Sequence, residues 1–136
     1  MHFSEVNGYP LQVIDRHDLL RLFGRYASHD QRPIVRILYL DDTGGVLQLE
    51  EVEPPIFMQG HELGEGIACK AFDIGAESVL LFRTDQSSTA PQVHDWVLAD
   101  AVAKYAPEAA ITFMDYCLIS PLEAYSLTSR KLLENR

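Results

Sequence analysis

An arginine and a carboxylate follow directly on a strand of buried type, where α/β proteins usually place their reactive side chains. Residues 78–82 show no alternation of polar and apolar side chains, which is typical of a strand covered on both faces. Arg83 and Asp85 come next and are two residues apart, so in an extended segment both project to the same side. A guanidinium stays protonated and cannot ligate a metal. The pair therefore predicts an ion pair rather than a metal site.

Other residues could also do chemistry, and each has a functional and a structural interpretation. His61 and His94 are the histidines nearest the predicted site, and they are either relocated metal ligands or capping and solvent-facing side chains. Ser87 begins a Ser-Ser-Thr run that lacks the G-x-S-x-G elbow of a serine nucleophile. Asp115 lies in an apolar strand, where an acid is costly unless it is hydrogen-bonded. It is either a satisfied structural acid or a catalytic base.

The composition is that of one globular domain with an acidic surface. The 136 residues are 47% hydrophobic, and 20 acidic against 11 basic residues give a formal charge of -9. This charge repels a phosphate backbone, and no Lys/Arg stripe offsets it, so we expect no nucleic-acid partner. Because the first residues lack the features of a signal peptide and no apolar run is long enough to span a membrane, we expect a cytoplasmic protein. Cys69 and Cys117 are interpreted as small buried thiols.

The hydrophobic periodicity predicts alternating helices and strands. Asp15 is a predicted N-cap, Gly44 and Gly45 supply a hairpin turn, and Gly75 stops the second helix. Helices are predicted over residues 15–28, 61–74 and 92–105, and strands over residues 34–40, 46–52, 78–82, 110–119 and 122–127, before a frayed basic tail. This order predicts a three-layer α/β/α fold, a mixed sheet with helices on both sides.

The same periodicity assigns the buried faces of the helices. In the second helix the apolar stripe is Leu63, Ile67, Ala71 and Ile74, while Gly64 and Gly66 weaken the first turn. In the third helix the stripe is Val93, Trp96, Val97 and Ala101, and Pro107 is placed beyond the end. The apolar segment from residue 54 to residue 58 is a contact patch if it is exposed and core if it lies over the sheet.

Several local strings resemble the RadC-like branch of the JAB/MPN metallohydrolase family. Residues 70–81, KAFDIGAESVLL, resemble its helix-to-strand passage of type RALELNAAALIL. Residues 114–120 and 124–127, MDYCLIS and AYSL, resemble its closing LDHIIIG and YVSL pattern. The hairpin over residues 34–52 matches its opening strands, so the likeness covers roughly residues 17 to 130. It implies the family's cytidine-deaminase-like architecture, a single RadC-like domain over residues 1–136, and a structural role for Asp115.

The resemblance also implies where a metal would be held. Members of the family carry H-x-H-P-S-G, then S-x-x-D, and an upstream glutamate. The two histidines and the aspartate bind zinc, and the glutamate acts as general base on its water. In this sequence Arg83 and Asp85 stand at the histidine positions, Ser87 matches the serine, and Asp95 matches the aspartate.

The interpretation of the site depends on Arg83, at the first histidine position, and on which residue is the upstream glutamate. The upstream glutamate falls at Glu51, with Glu50 as the other candidate because the strand register is open. We expect Arg83 to occupy the former zinc cavity as a substitute charge, bridging Asp85 or Asp95, with Glu51 as a further option. The other interpretation is that Arg83 points into water from a loop.

The sequence therefore predicts a catalytically inactive RadC-like JAB/MPN domain that serves as a protein-interaction module. No metal, cofactor or catalytic residue is expected. The protein partner is not identified, and a second copy of the chain is one option. One alternative is a divergent hydrolase of peptide or isopeptide bonds that holds magnesium or manganese between Glu51, Asp85 and Asp95. Another is a DNA-repair-associated accessory protein.

Overall fold

A six-stranded mixed sheet forms the middle layer of the molecule. A computed structural model describes residues 5–6, 9–10, 15–26, 32–55 and 59–135. The helices are α1 (Arg16–Tyr26), α2 (Gly60–Asp73) and α3 (Val93–Glu108). The strands are β1 (Glu5–Val6), β2 (Tyr9–Pro10), β3 (Ile34–Leu40), β4 (Val46–Val52), β5 (Ser78–Thr84), β6 (Thr112–Ile119), β7 (Glu123–Ser126) and β8 (Lys131–Asn135).

The large sheet has the strand order β4-β3-β5-β6-β7-β8, and β1 and β2 form a separate pair. Strands β5 and β6 are parallel and are joined by α3, whereas the other neighbours in the large sheet are antiparallel. The core residues of α2 and α3 pack on one face and those of α1 on the other. The predicted three-layer α/β/α arrangement with a mixed sheet is confirmed.

Strand β5 is covered on both faces, as its sequence predicts. Val79 and Leu81 belong to the core on the side of α2 and α3, whereas Leu80 and Phe82 belong to the core on the side of α1. All four side chains are buried. Because side chains alternate along a strand, the next residue, Arg83, projects to the side of α2 and α3.

The turn between β3 and β4 is stabilised by one carboxylate. Oδ1 of Asp41 accepts hydrogen bonds from the backbone N–H groups of Thr43 and Gly45, both at 2.8 Å. The hydroxyl of Thr43 also donates to Oδ1, and this bond together with the two backbone bonds holds the pKa of Asp41 below its ordinary value. Gly44 has a φ of 81°, a left-handed conformation that glycine adopts without strain. The predicted hairpin turn is thus confirmed.

Helices α2 and α3 approach each other closely at a glycine. A Cβ on Gly64 would lie 2.4 Å from the Cβ of Ala101, so only glycine fits there. Gly66, two residues along, is exposed, and a Cβ added to it would have no neighbour within 4 Å among the described residues. The prediction that both glycines only weaken the helix missed this packing role of Gly64.

Helices α2 and α3 end in the same conformation, but with different residues. Gly75 follows α2 with a φ of 77°, and Ala110 follows α3 with a φ of 60°. In each case two backbone N–H groups return to carbonyls of the last turn, the arrangement of a Schellman motif. Gly75 is the predicted stop. The predicted end of α3 near residue 105 was wrong, because Pro107 lies inside the helix and the chain reverses only at Ala110.

Four further expectations about the elements either differ from the structure or concern residues outside the described ranges. The tail beyond residue 127 forms β8, which pairs with β7. Val93 was placed in the buried stripe of α3 but is 63% exposed, while Leu98 is buried instead. Ile74, placed in the stripe of α2, caps its end and is 37% exposed. Residues 56–58 of the apolar segment lie outside the described residues.

In the described part of the chain no helix is both long and apolar enough to cross a membrane.

Candidate functional site

The guanidinium of Arg83 is buried at the carboxyl end of β5, between the sheet and the first turn of α3. Its side chain is 1% exposed, so the interpretation that it points into water was wrong. Four of its N–H groups have acceptors: Nε and Nη2 donate to the two oxygens of Asp95, Nη1 donates to Asp85, and Nη2 also donates to the carbonyl of Ala90. The sequence predicted an ion pair with Asp85 or with Asp95, and both pairs are present.

Asp95 is the centre of this network. Its side chain is fully buried and accepts four hydrogen bonds at 2.8 Å. Two come from Arg83 in a bidentate pair, the planar geometry that arginine alone offers a carboxylate. The others come from the hydroxyl of Tyr116 on β6 and from the backbone N–H of Gln92, which the first turn of α3 leaves without a helical partner. One carboxylate thereby ties α3 to two strands.

Asp85 closes the outer side of the network. Its Oδ2 accepts from Arg83 at 3.0 Å, while its Oδ1 accepts from the backbone N–H and the hydroxyl of Ser87. Burial acts to raise the pKa of this carboxyl, but the bonds from Ser87 and the charge of Arg83 outweigh it, so the pKa lies below its ordinary value. Ser87 therefore orients an acid in a turn, which is a structural use of its hydroxyl.

Arg83 and its neighbouring carboxylates favour each other's charged forms. Burial acts to lower the pKa of Arg83, but hydrogen bonds and charge from Asp95 outweigh it and the pKa is raised. Burial also raises the pKa of Tyr116 well above its ordinary value, with Asp95 adding to the effect, so this hydroxyl keeps its proton and donates a hydrogen bond to Asp95. The site is a set of fixed charges and dipoles that is satisfied within the protein.

His94 borders the network. Its Nε2 meets the side-chain oxygen of Gln92 at 3.0 Å, and its Nδ1 is buried without a hydrogen-bond partner among the described residues, 3.4 Å from Oδ1 of Asp95. Burial lowers the pKa of the imidazole; the charge of Asp95 opposes this and that of Arg83 reinforces it. The other histidine considered as a ligand, His61, instead meets the hydroxyl of Tyr105 at 3.1 Å.

Glu51 is not part of the site. Arg83 and Val35 are opposite one another, as are Val35 and Val52, so these share one face of the sheet. Glu51 is opposite Arg36 and therefore lies on the face of α1, where Arg36 donates to it at 2.7 Å. The expectation that Glu51 joins Arg83 was wrong.

A β-bulge accounts for this position. The pairing of β3 with β4 shifts between Tyr39 and Leu40, so that Leu47 has no direct partner on β3. Without the shift, residue 51 would be opposite Val35, on the face of Arg83, because a slip of one residue exchanges the two faces of a strand. The bulge places Glu50 on that face instead, where it accepts from the hydroxyl of Tyr39 at 2.8 Å and pairs with Lys70 at 3.4 Å.

These residues do not fit a zinc ion. Zinc needs deprotonated ligands, and the two carboxylates already accept hydrogen bonds from a buried guanidinium that has no lone pair to offer. Among the residues that the structure describes, no group of three or more His, Cys, Asp and Glu could hold a metal ion. The arrangement fixes the end of β5 to α3 and β6 through groups that already satisfy one another.

Sequence reasoning missed Tyr116 as a member of the network. The available signal was a tyrosine hydroxyl at the start of the apolar run over residues 117–119, since a buried tyrosine needs a hydrogen-bond partner. Asp115, on the same strand, accepts from Ser126 and from the backbone of Tyr116, both at 2.7 Å, which supports the structural interpretation of this acid, although it is only partly buried.

Comparisons of this sequence with protein-family models and with curated proteins gave no match. The likeness to the JAB/MPN family therefore rests on the strings over residues 70–81 and 114–127 and on the hairpin over residues 34–52.

Proposed function

We propose that this chain is a RadC-like domain of JAB/MPN type in which an ion-pair network has replaced the zinc site, and that it serves as a protein-interaction module. The observation that carries the proposal is the buried bidentate pair between Arg83 and Asp95, with Asp85 on the other side of the guanidinium. The resemblance implies that these three positions are the ones at which the family binds zinc.

The arrangement of the strands also supports the assignment. A hairpin, a helix, a central strand, a crossover helix and a closing strand follow one another in the order that the resemblance implies. Arg83 and Asp85 lie at the end of the central strand, where open α/β sheets place their sites. A protein that keeps this scaffold but fills the site with its own side chains retains its surfaces for binding.

The alternatives receive less support. A magnesium or manganese hydrolase would need a glutamate beside Asp85 and Asp95. Glu51 lies on the opposite face of the sheet, and Glu50, on the same face as Arg83, is engaged by Tyr39 and Lys70. A DNA-repair accessory protein would need a basic surface, whereas the chain carries a charge of -9.

The decisive experiment restores the two histidines. We expect the double variant Arg83→His with Asp85→His to bind about one zinc ion per chain, since two imidazoles and Asp95 then make a three-ligand site. Adding Asp95→Asn should weaken this binding about tenfold or more. Calorimetric titration and elemental analysis of the dialysed protein measure both effects. The matched control is Arg36→His, which changes a buried arginine on the opposite face and should bind no zinc.

Two results would contradict the proposal in different ways. Stoichiometric zinc in the wild-type protein, lost in Asp85→Ala, would restore the hydrolase as the leading function. A folded double variant that binds no more zinc than the Arg36→His control would remove the support for a JAB/MPN origin. Circular dichroism establishes that each variant is folded before metal is added.

A further inference from the structure

A cleft with a volume of about 180 Å³ lies between α3 and the turn that joins β7 to β8. Four residues of α3 line it at the spacing i, i+3, i+4 and i+7 of one helix face: Trp96, Ala99, Asp100 and Ala103. Helix α2 packs against a different side of α3, at Val97 and Ala101. The cleft therefore lies on a side of α3 that α2 leaves open.

The cleft has an apolar floor and a charged rim. Phe113 on β6 is half-buried and Leu127 after β7 is buried, and both line the cleft. Asp100 and Arg130 line it as well, and both are exposed. An apolar cavity of about 150 Å³ is large enough to hold benzene. The floor of this cleft can accordingly take one branched or aromatic side chain.

The two charges of the rim have no ionic partner within the described part of the chain. Neither the guanidinium of Arg130 nor the carboxylate of Asp100 forms an ion pair or a hydrogen bond there, not even with the other. Arg130 instead lies over the ring of Trp96, 5.1 Å from its centroid, a contact that leaves its N–H groups available. Asp100 is one helical turn after Trp96 and therefore its neighbour on the helix surface. A ligand that carries both a negative and a positive group can bridge these two side chains.

The backbone of Arg130 adopts a conformation that favours glycine. Its φ is 58°, in the left-handed region, where a Cβ is crowded by the following carbonyl. Residues held in such conformations are frequent at ligand sites. In the described residues the one contact that this conformation gives the guanidinium is with Trp96, at the rim of the cleft. The turn thus carries a strained arginine that faces a cleft.

We infer that this cleft binds a free α-amino acid with an apolar side chain. Its carboxylate accepts hydrogen bonds from Arg130, its ammonium group donates to Asp100, and its side chain lies on Phe113 and Leu127. A peptide terminus offers only one of these two charged groups. The cleft shares no residue with the network of Arg83, so the inference goes beyond the proposed function and does not depend on it.

The fluorescence of Trp96 tests the inference directly, because Trp96 is the single tryptophan of the chain and lines the cleft. We expect L-leucine and L-phenylalanine to change this fluorescence saturably, and calorimetric titration to give the same dissociation constants. N-acetyl-leucine lacks the ammonium group and leucinamide lacks the carboxylate. Each should bind at least about tenfold more weakly than leucine, because one charge of the rim is then left without a partner.

Variants of the rim separate binding from a structural role. Asp100→Asn and Arg130→Gly should each raise the dissociation constant of leucine at least about tenfold. Arg130→Gly also relieves the left-handed backbone, so its Tm should be unchanged or higher. The matched control is Lys104→Gln, which removes an exposed cation that lies over Tyr105 outside the cleft, and it should leave the constant within about twofold.

Three outcomes would overturn the inference. The first is that neither amino acid changes the fluorescence or releases heat at millimolar concentrations. The second is that N-acetyl-leucine or leucinamide binds as tightly as leucine, which would assign the cleft to a peptide terminus. The third is that Lys104→Gln weakens binding as much as Arg130→Gly does, which would indicate a general effect of charge. The zinc content of the wild-type protein, which decides the proposed function, bears on none of them.

Discussion

Arg83 and Arg36 are both buried, but their partner carboxylates differ in exposure to water. Arg83 faces Asp95, which is fully buried, whereas Arg36 faces Glu51, whose side chain is 52% exposed. Removing one member of a buried pair leaves an uncompensated charge, which is far costlier than exposing a charge that water can reach. The burial of the acid, rather than that of the arginine, should therefore set the loss of stability.

We expect Arg83→Met to lower the free energy of unfolding by about 3–5 kcal/mol. Arg36→Met should lower it by clearly less, because Glu51 can be hydrated. Urea unfolding followed by circular dichroism measures both variants, with the denaturant slope unchanged if only stability has changed. Equal losses in the two variants would contradict this account of the network.

At this scale the sequence predicted the ion pairs of Arg83 but not the position of Glu51. The spacing of Arg83 and Asp85 sufficed for the pair with Asp85, because residues two apart in an extended segment share a side. The pair with Asp95 was expected only through the family resemblance. The face of Glu51 depends on whether β4 contains a bulge, and the residues 46–52 look the same with one or without one. The one extra residue of the bulge in β4 decides whether Glu51 lies on the face of Arg83, and no local sequence pattern predicts that bulge.

The packing of α2 against α3 gives a prediction at the scale of the element. Gly64→Ala should destabilise the protein by about 1–3 kcal/mol, because the added Cβ would overlap Ala101. Gly66→Ala is the matched control in the same helix. Its Cβ meets no described residue, so the better helix propensity of alanine should stabilise the protein by up to about 1 kcal/mol.

Thermal and urea unfolding of the two variants measure the difference. A stabilising or neutral Gly64→Ala would mean that the helices have room to separate. Because helix propensity favours alanine equally at both positions, the sign of the difference between the variants reports the interhelical contact alone.

Elements with a strong periodic signal were predicted, and those fixed by distant partners were not. The strands at residues 34–40 and 46–52 were placed to the residue. Strand β8 was missed because its sequence, KLLEN, has little alternation and is extended through its pairing with β7. The end of α3 was misplaced because an alanine, Ala110, adopts the left-handed conformation that sequence rules assign to glycine.

The two cysteines allow a prediction for the whole molecule. Cys69 is exposed on α2, which corrects its interpretation as a buried thiol, whereas Cys117 is buried on β6. Burial raises the pKa of Cys117 well above its ordinary value, and Asp115 adds to the effect. Reaction requires the thiolate and access to it, so Cys117 should react only when the sheet opens.

A colorimetric thiol reagent should therefore modify one cysteine of the native protein quickly and the second only in denaturant. The variant Cys69→Ser should remove the fast reaction and leave the slow one. Two fast reactions in the native protein would show that the face of the sheet beneath α1 opens readily. The slow rate, followed in increasing urea, reports global unfolding.

The single parallel strand pair has a consequence for synthesis on the ribosome. When β5 has emerged, β3 is available on one side, but the strand for the other side is still unmade. Residues 85–111 must be added first, which takes about 1–5 s at usual elongation rates. During that interval four large apolar side chains of β5 are next to an unpaired backbone, and nascent chains are most prone to aggregate in such a state. We expect the nascent chain to need chaperone protection at this stage rather than after release.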